Sequence, residues 1–297
     1  MNLQRYLHVA GEVDAALRRG RPVVAFDTAS AACDMPPGQR LAHVRAREAA
    51  AREAGAVPAS VAVLEGVLHL GLSAAQLEAL CGMQDAPKLS RRELAAAVAL
   101  GRTGAATASC AMVAATLCGV RVYAAGAIGG VGPGMDVSAD LQELRESSVA
   151  AVCAAVGPGA DGAASAEVLE TLGVPVLGLA GPAGPALPGA LLPAGPFYTV
   201  ETAARIARAH WDLGLAGSVL VCPPMPALDE QLAEQARDAV DRAQADARFA
   251  GLHGPQRTPA LTAHLLTASA AYASARRALT VHCARTAAAL AAALAGA

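Results

Sequence analysis

Lysine is almost missing from this chain: of 23 basic residues one, Lys88, is a lysine. A coding bias toward arginine explains the depletion in general, but not why the one survivor stands at position 88. Aromatic side chains are nearly as scarce, with three Phe and one Trp in 297 residues. The hydrophobic fraction is nonetheless 54%, most of it alanine, so a large core is available but large side chains cannot fill it. Helices faced with alanine approach a sheet closely, which favours a layered fold over a loose bundle. Charge is sparse too: 16% of residues, with a formal net charge of −2. The longest basic clusters are pairs such as Arg18-Arg19 and Arg91-Arg92. That excludes the broad positive field that nucleic-acid binding requires. The seven cysteines form no CxxC pair, so neither a disulfide framework nor a zinc site is expected. The first twenty residues hold no apolar signal core, and the alanine-rich tail is interrupted by His282 and Arg285. Composition therefore points to a soluble cytoplasmic protein with no membrane partner.

The order of periodic segments reads as α/β. Residues 2–19 are predicted as an amphipathic helix ahead of a buried strand at 22–26. An alanine-, arginine- and glutamate-rich helix follows over 39–54 and stops at Gly55. Two alternating apolar runs, 60–64 and 67–70, flank Glu65-Gly66, a two-residue hairpin signal. Ser90 and Glu93 have the spacing of a capping box, so a helix starts at Ser90. A strand at 120–124 runs into Gly126-Ala-Ile-Gly-Gly-Val-Gly-Pro-Gly134, the layout of an α/β binding edge. Helices at 139–147, 166–172 and 199–213 alternate with strands at 149–153, 174–177 and 218–222, and helices end the chain. Residues 181–196, rich in Pro and Gly, are expected to be an irregular loop. No segment reads as a linker, so residues 1–297 are expected to form a single-domain α/β/α layer with a largely parallel sheet.

Several motifs then occur in a fixed order: Gly55-Ala-Val-Pro-Ala59, Lys88-Leu-Ser-Arg-Arg92, Gly129-Gly-Val131, Asp136-Val-Ser-Ala-Asp-Leu-Gln-Glu-Leu144 and Leu169-Glu-Thr-Leu-Gly-Val-Pro-Val176. Trp211-Asp-Leu-Gly-Leu215, Pro224-Met-Pro226 and Thr258-Pro259 complete the series. Together they resemble the pseudouridine-5'-phosphate glycosidase family over nearly the whole length. The resemblance implies reversible cleavage or formation of the C–C glycosidic bond of a ribose 5-phosphate C-glycoside. It implies Mn2+ (or Mg2+) as cofactor, and ribose 5-phosphate or a phosphorylated C-nucleoside as ligand. A homotrimer is also implied. An apolar surface with few large side chains is consistent with subunits covering it.

Carried over position by position, the resemblance makes Lys88 a substrate contact and Asp136 a metal ligand. Ser138, Ala139 and Asp140 become substrate contacts, as does Ala108 beside Thr107. Asp27 stands where the family has its proton-donating glutamate, one methylene shorter. Ala32-Cys-Asp-Met-Pro36 replaces a Ser-His-Gly-Met-Pro run, and Gly129-Gly-Val-Gly-Pro-Gly134 replaces a run containing His and Arg. Gly157 stands where the family has its imine-forming lysine. An iminium is the electron sink that lets a carbon–carbon bond break without a leaving heteroatom, so this departure bears directly on the chemistry.

Each candidate also has a plain structural explanation. Asp136 reads equally as a helix N-cap, Asp140 as a first-turn charge and Asp27 as a local cap. Lys88 is the strongest site candidate. Cys33 as a replacement nucleophile is disfavoured, and the glycine segment lacks the GxGxxG spacing of a dinucleotide loop. His210-Trp211 reads as a packed helix pair. The leading expectation is an enzyme, a C-glycosidase or C-glycosynthase with altered catalytic residues. The alternatives are a non-catalytic sugar-phosphate-binding homologue, or a metal-dependent isomerase or lyase without an imine step.

Overall fold

A computed structural model describes residues 5–191, 196–252 and 256–296. Its strands in chain order are β1 (Leu7–Val9), β2 (Val23–Phe26), β3 (Val57–Leu64), β4 (Val67–Leu70) and β5 (Lys88–Leu89). They continue with β6 (Gly104–Ala106), β7 (Val122–Ala124), β8 (Ala127–Ile128), β9 (Val131–Gly132) and β10 (Asp136–Val137). The last five are β11 (Ala150–Val152), β12 (Ala155–Val156), β13 (Val176–Leu179), β14 (Phe197–Tyr198) and β15 (Val219–Cys222). The helices are α1 (Gly11–Arg18), α2 (Ala29–Ala32), α3 (Pro37–Glu53), α4 (Ala74–Gly82), α5 (Arg91–Ala99), α6 (Ala108–Leu117) and α7 (Ala139–Glu146). They are followed by α8 (Gly162–Thr171), α9 (Val200–Asp212), α10 (Glu230–Ala245), α11 (Ala247–Ala250), α12 (Arg257–Ala268) and α13 (Ala270–Ala295).

Nine strands run β1-β4-β3-β2-β7-β11-β15-β13-β14 across one sheet, and β6 joins β3 to β5. From β3 through β14 every neighbouring pair is parallel. Among the described residues, antiparallel pairing within this sheet is that of β3 with β4 and with β6. The largely parallel sheet and its helical layers are therefore as the sequence indicated.

Alternation along β2 shows how the layers form. Val24 and Phe26 point into one apolar core with α3, α9, α10 and α13, while Val23 and Ala25 point into another with α1 and α6. The first core is about half alanine, whereas the second mixes alanine with valine and leucine. A buried methyl contributes only about 0.8 kcal/mol, so stability here comes from many small contacts at close approach. α13 illustrates this: Cys283, Ala284, Ala287, Ala288 and Leu290 are all fully buried. By length and composition it is apolar enough to cross a membrane. In the fold it is instead a central core helix packed on α3, α9 and α10.

Local signals explain several boundaries. Glu65 and Gly66 both take positive φ, 50° and 79°, as the two-residue hairpin between β3 and β4 requires. At Ser90 the Glu93 carboxylate accepts the Ser90 backbone N–H at 3.1 Å, one half of the capping box. Two expectations need correction. Of the helix expected over 2–19, residues 2–4 lie outside the described residues, and 7–9 form β1, paired in parallel with β4. The helix begins only at Gly11 because the open sheet edge offers those residues a ladder 61 positions away in sequence, Leu7 opposite Leu68. The glycine segment is not a plain loop either. β8 pairs with β12 and β9 with β10, so two small ribbons fold over the end of the main sheet. Residues 180–191 carry neither helix nor strand, as expected, and 192–195 lie outside the described residues.

Candidate active site

A cavity of about 550 Å3 opens beyond the carboxyl end of β2, where Asp27 follows Phe26. It brings together every residue carried over as a site candidate, Asp27, Lys88, Thr107 and Ala108 among them. Asp136, Ser138, Ala139 and Asp140 line it too, and Gly157 lies in its wall. Three helix N-termini converge there, those of α5, α6 and α7. Thr107 caps α6 by accepting the Cys110 N–H, and Ser138 caps α7 by accepting the Asp140 N–H at 3.2 Å. The positive ends of three helix dipoles therefore meet at this end of the cavity, which favours negative charge there, and Asp140 already takes up the Ser109 N–H.

The candidate roles separate on geometry. Asp136 sits on β10 opposite Gly132, and the cap of α7 is Ser138, so Asp136 is not the N-cap of that helix. Asp140 is more than a first-turn charge. One carboxylate oxygen accepts the Gly129 N–H at 2.8 Å and the other the Ser109 N–H at 3.0 Å, tying the glycine segment to the start of α6. Burial raises its pKa from the ordinary aspartate value, against those two hydrogen bonds. Gly129 must remain a glycine, because a Cβ there would overlap Ser138. Lys88, on β5, reaches across the cavity to Asp34, with Nζ 3.3 Å from Oδ1.

Asp27 is held by several groups at once. Its Oδ2 accepts the Ser30 N–H at 2.9 Å, and Tyr123 donates its hydroxyl to Oδ1 at 3.3 Å. Arg47 donates to Oδ1 at 3.5 Å and also to the Asp27 carbonyl. Arg47 is 2% exposed and lies over the Phe26 ring, 5.2 Å from its centroid. Behind Asp27 a second, smaller cavity of about 40 Å3 is lined by His43, Arg47 and Arg276 among others. Burial first, then the fields of Arg47, Arg276 and Arg277, push the His43 pKa well below 6.5, so its imidazole is neutral.

Gly157 follows β12 and donates its N–H to Ile128 O at 2.8 Å. A Cβ there would meet only ordinary contacts, the nearest Thr258 Cγ2 at 3.7 Å. Cys33 is no replacement nucleophile: burial, and then Asp34, push its thiol up to about 12. His210 is buried in α9, and Trp211 stacks with Arg121, so that pair belongs to packing. Sequence reasoning missed Asp34, Arg47 and Arg276. A signal was present for Arg47: Arg40, His43, Val44 and Arg47 share the 3–4 spacing of one helix face, and that face is buried.

Fold and cavity together define a layered α/β protein with a pocket at the carboxyl ends of its strands. A family model described as "Indigoidine synthase A like protein" matches residues 12–293. A pseudouridine-5'-phosphate glycosidase from Rhodospirillum centenum is 46% identical over 272 residues, covering 88% of this chain and 84% of that protein. The pseudouridine-5'-phosphate glycosidase of Escherichia coli is 37% identical over 271 residues, covering 87% and 86%. Among solved structures, a prealnumycin C-glycosynthase in complex with ribulose 5-phosphate is similar, with TM-score 0.81 and 32% identity over 98% of this chain and 97% of that one. An indigoidine synthase A-like protein from Thermotoga maritima has TM-score 0.83 at 26% identity, with the same coverage. The chain belongs to the pseudouridine-5'-phosphate glycosidase family, the indigoidine synthase A-like proteins.

Proposed function

We propose that this protein makes or breaks the C–C glycosidic bond of a ribose 5-phosphate C-glycoside. The observation that carries the reading is the convergence of all eight candidate residues, from four separate stretches of chain, on one cavity. The activities named for its relatives, and the sugar phosphate in the related glycosynthase, support the same class of substrate. In this reading Lys88 and the N-termini of α6 and α7 hold the phosphate, and Ser138 and Asp140 fix the sugar. Asp27 moves the proton at the reacting carbon, from a carboxylate held by Arg47, Tyr123 and the Ser30 N–H.

Mn2+ or Mg2+ belongs to the proposal, with Asp136 as its one protein ligand. Among the described residues no three His, Cys, Asp or Glu side chains gather closely enough to hold a metal alone. That fits a hard cation which keeps most of its water and takes one or two carboxylates. When bound it would neutralise charge on the sugar phosphate. A homotrimer is part of the same proposal.

The test is to incubate the protein with pseudouridine 5'-phosphate, and separately with ribose 5-phosphate plus uracil, with and without Mn2+. Chromatography scores product in both directions. Turnover in either direction that falls at least about 100-fold in Asp27→Asn supports the reading. Absence of product in both directions overturns it. A second reading, a sugar-phosphate-binding protein without turnover, is favoured by one feature: the cavity's one amine, Lys88, already has a carboxylate partner.

A further inference from the structure

Lys88 carries the only side-chain amine in the chain. It is 28% exposed at the cavity wall, and its partner Asp34 is 8% exposed, with Nζ to Oδ1 at 3.3 Å. Among the described residues, Asp34 is the one carboxylate in ion-pair contact with it. Asp140 also lies in the field of Lys88, but its two oxygens are engaged by the Gly129 and Ser109 N–H groups. The Cys33 thiol, next to Asp34, stays protonated.

Asp34 is not on a loose loop. It lies between α2 and α3, and Arg40 pins that connection by donating Nε to Met35 O at 3.0 Å and Nη1 to Met83 O at 2.5 Å. Arg276, from α13, adds a second cation whose field reaches Asp34. The carboxylate is therefore held, buried, against the Lys88 side chain. An amine attacks a carbonyl only without its proton, and an ordinary lysine carries that proton at neutral pH. Here the pair with Asp34 must be broken as well.

We propose, extending the sugar-phosphate reading above, that Asp34 is a positioning residue that commits Lys88 to act as a fixed cation, withholding the chain's one side-chain amine from imine formation. Lys88 then attracts an oxyanion but does not bond covalently to the sugar carbonyl. The imine step balances as amine plus aldehyde giving imine plus water. Removing Asp34 is what opens that step to Lys88.

The test needs no knowledge of the natural substrate. The full chain is treated with N-hydroxysuccinimidyl acetate, and peptide mass mapping follows acetylation of Lys88 against the amino terminus across pH 7–9. In Asp34→Asn the Lys88 rate should rise about tenfold, while Asp34→Glu should stay near wild type. Asp34→Ser provides a second removal of the charge should the asparagine variant fold poorly. Equal Lys88 rates in wild type and both charge-removed variants would overturn the proposal. A parallel arm uses ribose 5-phosphate with borohydride, which reduces any imine to a stable adduct. An adduct on Lys88 in wild type as abundant as in Asp34→Asn also overturns it. Faster acetylation with no sugar adduct in any variant supports the role of Asp34, and binding of ribose 5-phosphate is then scored by calorimetry, so the two ideas fail separately.

Discussion

Replacing Arg47 with methionine should be among the most damaging single substitutions outside the alanine core. Arg47 is 2% exposed and Asp27 5%, so both partners of this pair are removed from water. Methionine keeps the apolar stem that lies against Phe26 but takes away the cation and the donor to the Asp27 carbonyl. Asp27 would keep the Ser30 N–H and the Tyr123 hydroxyl, yet remain a buried carboxylate without its counter-charge. Breaking a buried pair on one side costs about 3–5 kcal/mol, a large share of the roughly 5–15 kcal/mol of a typical fold. Denaturant titration followed by far-ultraviolet circular dichroism and by the single tryptophan, Trp211, measures the loss directly. Asp27→Asn on top of Arg47→Met should return at least about 1 kcal/mol, because the stranded charge is gone. A loss below about 1 kcal/mol for Arg47→Met, or strict additivity in the double variant, would refute this account of how Asp27 is held.

The depressed pKa of His43 makes stability pH-dependent. The unfolded histidine binds a proton near pH 6.5 and the folded one does not, so its contribution is complete above about pH 6.5 and is lost as pH falls below it. The denaturation midpoint should fall between pH 7 and 5 more steeply in wild type than in His43→Gln; parallel curves would contradict this. Asp136→Asn should abolish the rise in melting temperature caused by Mn2+ while leaving the metal-free melting temperature within about 1 °C. An undiminished metal response in the variant would place the ion elsewhere. Gly157→Lys should fold, because a Cβ there would meet Thr258 no closer than 3.7 Å, and ribose 5-phosphate with borohydride should yield an adduct at position 157. A folded variant with no adduct there would show that the amine does not reach the sugar.

Much of the site was legible because its residues sit in local signals. The capping box at Ser90, the Thr107 cap and the Ser138-Ala-Asp140 start of α7 are each written within four residues, and each marks a helix N-terminus at the cavity. What could not be read depends on distant pairing. β1 forms only because β4 lies beside it, and Asp34 meets Lys88 across 54 positions of sequence. Arg47 was hidden differently. An arginine in a helix full of arginine and glutamate resembles a solvated face, and only its stripe with Arg40, His43 and Val44 betrays burial. Arg276 and Tyr272 share one face of a long alanine-rich helix, where nothing in the spacing separates a cavity wall from a packing surface.

The central claim is that this cavity holds a ribose 5-phosphate unit, and direct titration calorimetry tests it most simply. Ribose 5-phosphate should bind wild type with a measurable heat while unphosphorylated ribose does not, and Lys88→Met should weaken the phosphate ester at least about tenfold by removing its fixed cation. Equal binding of ribose and ribose 5-phosphate, or an affinity indifferent to Lys88→Met, would contradict the account.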